Sequence, residues 1–119
     1  NTGMGDNTLR VVTTTLYNSA LGYNSGYNAT GARNIFLGEN SGRHLSSGSG
    51  NVIIGGGNLG TTGNTGSRQL QIMGYDGSTR TTWIDGDSDG NITIPGTVTA
   101  NSQVLAAAGD VTALAIALG

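Results

Sequence analysis

Three aspartates at alternate positions, Asp85-x-Asp87-x-Asp89-Gly90, come nearest in this chain to a spacing that does chemistry. Alternate carboxylates in a tight loop converge on a hard cation, and the run matches the opening of an EF-hand-type calcium loop. The bidentate acid due at the twelfth position falls on Gly96, so the motif is incomplete. A plain turn is the expected reading, with a calcium site at Asp85, Asp87 and Asp89 as the alternative. A glycosidase would need paired carboxylates roughly 5–10 Å apart in a cleft, and a tight turn offers no groove. Trp83 is expected to be the largest piece of a small core; the alternative is a glycan-stacking platform of Trp83 with Tyr75 and Arg80 near it. His44 is the only histidine and there is no cysteine, so one chain cannot assemble a zinc site or supply more than one imidazole base. Gly55-Gly56-Gly57 has no Lys after it and opens no helix, which excludes a phosphate loop. No enzymatic activity and no cofactor are expected.

The elements that must position these residues are constrained by composition. The chain has 119 residues, with 22 Gly, one Pro, 10% charged and 35% hydrophobic residues, and single Phe and Trp residues. One domain or one slice of a longer protein fits that length, and large apolar side chains are too scarce for an ordinary closed core. A coiled coil, a disulfide-stapled miniprotein and a thiol enzyme are excluded. All five bases are arginines (10, 33, 43, 68, 80), scattered singly against seven acids for a net charge of −2, so nucleic acid is not an expected partner. No apolar run of about 18 residues exists, and no membrane insertion is expected. The chain opens on Asn1 inside a repeat, which predicts that it is cut from a longer polypeptide.

That repeat is the strongest signal. Asn1-Thr2-Gly3-Met4-Gly5-Asp6-Asn7 is echoed from Asn18, from Asn34 (Asn34-Ile35-Phe36-Leu37-Gly38-Glu39-Asn40-Ser41-Gly42) and from Asn51, at spacings of 17, 16 and 17. The unit reads Asn-x-x-(Met/Leu/Ile)-Gly-x-Asn-x-Gly. A period near 17 suits one coil of a β-roll or β-solenoid: a short strand, a sharp corner and a polar return. Gly5, Gly22, Gly38 and Gly55 are expected to supply positive φ or close backbone approach at the corner, and Asn1, Asn18, Asn34 and Asn51 to stack amide to amide. The fold class is therefore all-β, with about four coils over residues 1–62 and a regular roll that stops near residue 60.

Residues 63–100 read as a small β-meander. Leu70–Met73, Thr81–Ile84 and Asn91–Ile94 are short β-prone runs separated by Asp-Gly turns, and Pro95 ends the third; Thr97–Thr99 would continue it after a bend. Residues 101–119 are apolar and Ala-rich. Alternation of Thr112, Leu114, Ile116 and Leu118 with alanines predicts a strand, and a short helix over Ser102–Ala108 is the competing reading for the start of the segment.

Each coil offers only two or three mid-sized apolar side chains, too few to offset the entropy of ordering a slender coil. Self-association is expected, and three chains about an axis suit a narrow interior of small residues.

The quoted repeats resemble the Asn-Thr-Ala-Ile-Gly-type repeats of bacteriophage tail fibres, and are similar to those that build the β-roll heads of trimeric autotransporter adhesins. The succession Asn51–Gly55, Gln69–Gly74 and Asp89–Ile94 resembles the distal part of phage fibre shafts, so the resemblance covers about residues 1–98. It implies a homotrimeric, elongated virion protein that takes part in host-surface attachment, with other virion proteins and a host cell-surface glycan as partners and no catalytic residue. A capsid decoration (cement) protein and a bacterial adhesin head are the alternatives.

Overall fold

The structure, a computed structural model, describes residues 1–56, 65–100 and 103–106. Among them every regular element is a strand. Strands β1 (Thr2–Met4), β2 (Ser19–Leu21), β3 (Ile35–Leu37) and β4 (Val52–Ile54) follow the repeat unit by unit. They pair parallel and in register, Gly3 with Ala20, Ala20 with Phe36 and Phe36 with Ile53. The all-β fold and the solenoid of about four coils are as the repeat predicts.

The coils are joined on more than their strand side. Behind the glycine corner Asn24 N donates to Asp6 O (3.0 Å) and Gly26 N to Ser41 O (2.8 Å), and on the return Thr30 N donates to Ser46 O (2.9 Å). Each coil is thus paired to its neighbours through strand, corner and return, which leaves few backbone groups of the interior coils without partners.

The corner glycines do both things expected of them. Gly5, Gly22, Gly38 and Gly55 have φ between 124 and 130°, and a Cβ on Gly22 would lie 2.6 Å from the Gly38 carbonyl. Two residues later Asn7, Asn24 and Asn40 take φ of 52–56°, a left-handed conformation that Asn tolerates.

In β2, β3 and β4 only the central residue is buried. Ala20, Phe36 and Ile53 form that column, and Ala29 and Leu45 close it from the return side. Phe36 is the large member, and the chain makes room for it: a Cβ on Gly26 would lie 2.6 Å from its ring, and one on Gly42 would collide with it.

The end of the roll differs from expectation. Strand β5 (Leu70–Tyr75) pairs parallel with β4, Val52 against Leu70 and Ile54 against Ile72, so the parallel ladder runs beyond residue 60 to a fifth rung. β5 is also the first meander strand, antiparallel to β6 (Arg80–Gly86), which pairs with β7 (Ile92–Thr93). The sheet therefore has seven strands in chain order. β7 stops before Pro95, as predicted. Residues 98–100 do not extend it; β8 (Val98–Ala100) pairs with β9 (Gln103–Ala106) as a separate hairpin. That pairing replaces the short helix over Ser102–Ala108 at residues 103–106. The alternating run 112–118 lies outside the described residues.

Candidate functional site: the asparagine ladder, the outer sheet face and the hairpin tip

The leading asparagines form a continuous polar spine. Asn1 Oδ1 accepts from Asn18 N (2.9 Å), Asn18 Oδ1 from Asn34 N (3.0 Å) and Asn34 Oδ1 from Asn51 N (2.9 Å). The amide nitrogens close each coil on itself: Asn18 Nδ2 donates to Gly31 O (2.9 Å), Asn34 Nδ2 to Gly48 O (3.0 Å) and Asn51 Nδ2 to Gly66 O (2.9 Å). Amide-to-amide bonds also run along the spine, from Asn34 Nδ2 to Asn18 Oδ1 (3.1 Å) and from Asn51 Nδ2 to Asn34 Oδ1 (3.0 Å). Asn18, Asn34 and Asn51 are buried. A buried primary amide is tolerated when both its ends are bonded, and here one side chain fixes both the closure and the stacking of a coil.

Three parts of this system escape the sequence reading. Gln69 takes the fifth place on the spine, its N–H donating to Asn51 Oδ1 (2.9 Å). Ser25 and Ser41 lie buried one residue after the left-handed asparagines, with Ser41 Oγ donating to Ile53 O (2.9 Å) and Ser25 Oγ to Phe36 O (3.3 Å). On the surface Tyr27 lies between Arg10 and Arg43 of the flanking coils, with guanidinium carbons 5.7 and 5.9 Å from its ring centre. The equal offsets of Ser25 from Asn18 and Ser41 from Asn34 were the available signal for the hydroxyl pair.

The outer face of the parallel ladder is mainly apolar, with Thr2 and Ser19 as its polar members. With the central residue of each strand turned in, the flanking ones point out, and Met4 (70% exposed), Leu21 (47%), Ile35 (49%) and Leu37 (42%) are open. No charged residue occurs in β1–β4. Contiguous apolar surface of this kind marks a contact surface.

The aspartate turn keeps its charge for itself. Asp87 Oδ1 accepts from Asp89 N (2.9 Å) and Asn91 N (2.9 Å), and Asp87 Oδ2 accepts from Asn91 Nδ2 (2.8 Å). The Asn91 side-chain amide, with the backbone N–H groups after it, holds the Asp87 carboxyl below the usual carboxylate range. Among the described residues no group of three or more His, Cys, Asp or Glu is placed to hold a metal ion. The structure therefore does not gather Asp85, Asp87 and Asp89 as a calcium loop would; Asp87 organises the turn. Ser88 has the letters of a nucleophile elbow around it, Gly86-x-Ser88-x-Gly90, a match that sequence reading passed over. It lies in an exposed turn between two antiparallel strands, without the strand-to-helix setting the motif needs.

Beside that turn Gln69, Gln71, Asp85, Asp87, Asn91 and Thr93 line a polar hollow of about 100 Å³. Gln69 Oε1 and Gln71 Oε1 are buried there without a donor among the described residues. Gln71 stands in the inward column after Ile53, and two residues further along β5 the buried Met73 is a member of the apolar core.

Trp83 is not core. It is 56% exposed, because β5 and β6 slip register beside it: Ile72 pairs with Ile84 but Met73 with Thr82, which leaves Trp83 as the extra residue of a β-bulge. Tyr75 and Arg80 pair across the hairpin tip. Tyr75 shares a hollow with Trp83, and Arg80 does not line it. His44 is exposed in the return of its coil. Among the described residues no helix is long and apolar enough to cross a membrane. Comparison of the chain with protein-family models, with curated proteins and with solved structures finds no match.

Proposed function

We propose that this chain is a structural segment of a homotrimeric virion fibre, in which the outer sheet face of each copy is covered by the other two. The observation that carries this reading is the division of β2, β3 and β4: one residue buried, and its neighbours turned out onto an uncharged, mainly apolar face. Water is a poor neighbour for that face, and burying it would add the stabilisation that a one-residue-wide interior lacks. A second copy is the best-matched cover. Its rungs repeat at the same strand spacing of about 4.8 Å, so side chains meet in step along the whole length. The asparagine spine fits a mechanical role, since stretching or bending a coil breaks bonds to both neighbours together.

Native mass spectrometry tests the assembly: the expected mass is three times that of the 11.9 kDa chain. Paired Leu21→Glu and Leu37→Glu substitutions, which place charge on the outer face and leave the spine intact, should reduce it to one chain. A wild-type chain that stays single and melts cooperatively would overturn the proposal. The capsid-decoration and adhesin-head readings share this assembly and differ in where it sits. Antibody labelling of particles separates them, by rods at the tail, knobs at capsid three-folds, or no particle at all.

A further inference from the structure

We infer that the tip of the β5–β6 hairpin is a binding site for a neutral saccharide, built on Trp83, Tyr75 and the turn from Asp76 to Thr79. The inference rests on the reading of the chain as a segment of an exposed fibre and names the class of ligand that one part of its surface would take. β5 has six residues where the strands of the roll have three, so the hairpin continues past the Gly55 corner. On that extension the bulge puts Trp83 outside the pairing of the strands and turns it onto the surface. Gly74, which pairs with Thr81, lies beneath the benzo side of the indole: a Cβ on Gly74 would be 2.7 Å from Trp83 Cζ2. The bare glycine backbone thus supports one side of the ring while more than half of Trp83 stays exposed.

The hollow beside the ring measures about 390 Å³ and is lined by Gly74, Tyr75, Asp76, Thr79, Thr81 and Trp83. That is the size of a small-ligand site. Its polar groups are held ready. Tyr75 Oη donates to Gly77 O (2.8 Å), and Asp76 Oδ1 accepts from Ser78 N (2.9 Å) and Thr79 N (2.7 Å). These bonds use one carboxylate oxygen, and among the described residues nothing donates to Asp76 Oδ2. Among the described residues the hydroxyls of Thr79 and Thr81 have no hydrogen-bond partner. The Thr79 and Ser78 backbone N–H groups hold the Asp76 carboxyl below the usual range, so it is an acceptor at neutral pH.

A pyranose has the complementary pattern: a flat face of C–H groups for the aromatic ring and a rim of hydroxyls for a carboxylate and two threonines. An anionic ligand is disfavoured by Asp76, with Arg80 outside the lining. A wholly apolar ligand would strand the carboxylate.

Trp83 is the single Trp of the chain, so its fluorescence reports this ring alone. The assembled protein is titrated with maltose, lactose, cellobiose and N,N′-diacetylchitobiose, while emission and iodide quenching are followed. At least one disaccharide should give a saturable emission shift and protect the ring from iodide. By calorimetry Trp83→Ala should weaken that binding at least about tenfold, and Thr81→Val about threefold, with far-ultraviolet circular dichroism unchanged. Absence of binding by all four sugars, undiminished binding in Trp83→Ala, or an indole already shielded from iodide by a neighbouring copy would each overturn the site. Native mass measured on the same sample keeps the outcomes apart: a trimer that binds no sugar sinks the site and leaves the assembly standing.

Discussion

Ala20, Phe36 and Ile53 stack in a closed column within the roll, whereas Trp83 and Ile92, on the strands that follow it, stand open to solvent. The polar groups of the two regions differ in the same sense. Asn34 binds Asn18 in the coil before it, Gly48 in its own return and Asn51 in the coil after it. Among the described residues the Asp87 carboxylate binds only Asp89 and Asn91 of its own turn. One region is held by contacts that pass from coil to coil, the other by strand pairing and local turns. The roll should therefore lose stability as a unit, and the hairpin should open by itself, as cooperative units of different rank do.

The largest expected effect breaks the column. Phe36→Ala should destabilise by about 3–5 kcal/mol in thermal or urea unfolding, since Gly26 and Gly42 leave a cavity that no neighbouring Cβ can fill. Trp83→Ala, the counterpart on the hairpin, should stay within about 0.5 kcal/mol. Next is the spine. Asn34→Ala removes the acceptor of Asn51 N and the donor to Gly48 O, and with buried groups left unpaired at about 1–3 kcal/mol each it should cost roughly 2–4 kcal/mol. Asn91→Ala in the β6–β7 turn removes one exposed side-chain bond and should cost less than about 1 kcal/mol. Equal losses for Asn34→Ala and Asn91→Ala in urea unfolding would erase the distinction.

The smallest effect is on pH and is confined to the hairpin. Asp76 and Asp87 have carboxyls held below the ordinary range, by N–H groups of the Asp76–Thr79 turn and by Asn91 respectively. Such a carboxylate binds fewer protons folded than unfolded near pH 4. Its contribution is complete above the unfolded pKa and fades as pH falls through the lower, folded value. The amides of Thr79, Asp89 and Asn91 should exchange faster, after correction for intrinsic rates, as pH drops below about 4. The amides of Asn34 and Asn51, paired to neutral oxygens, should not change.

Much of the roll was legible because its physics repeats. Asn at one offset and Gly at another recur wherever a coil must close and turn, so spacing alone exposes Asn18, Asn34 and Asn51 and the corners that follow them. The fifth rung escaped because Gln69 does there with its backbone N–H what Asn did before, after an interval of 18 rather than 16 or 17. Leu9 takes φ 51°, the left-handed position filled by glycine at Gly26 and Gly42, a strain of about 1–2 kcal/mol that its apolar side chain hides from a pattern search. Trp83 was misplaced for another reason. Thr81-Thr82-Trp83-Ile84 reads as an even strand, and a bulge belongs to the pairing of two strands rather than to either one. The Asp87 turn was legible since Asp and Gly carry their turn geometry locally.

The dependence of melting temperature on protein concentration tests most directly whether the exposed sheet face is completed by further copies. Over a hundredfold dilution the melting temperature should fall steadily, as it does when assembly and folding are linked, and native mass should drop toward a single chain at the dilute end. A sharp melt at one fixed temperature throughout, from a species of 11.9 kDa, would contradict the account.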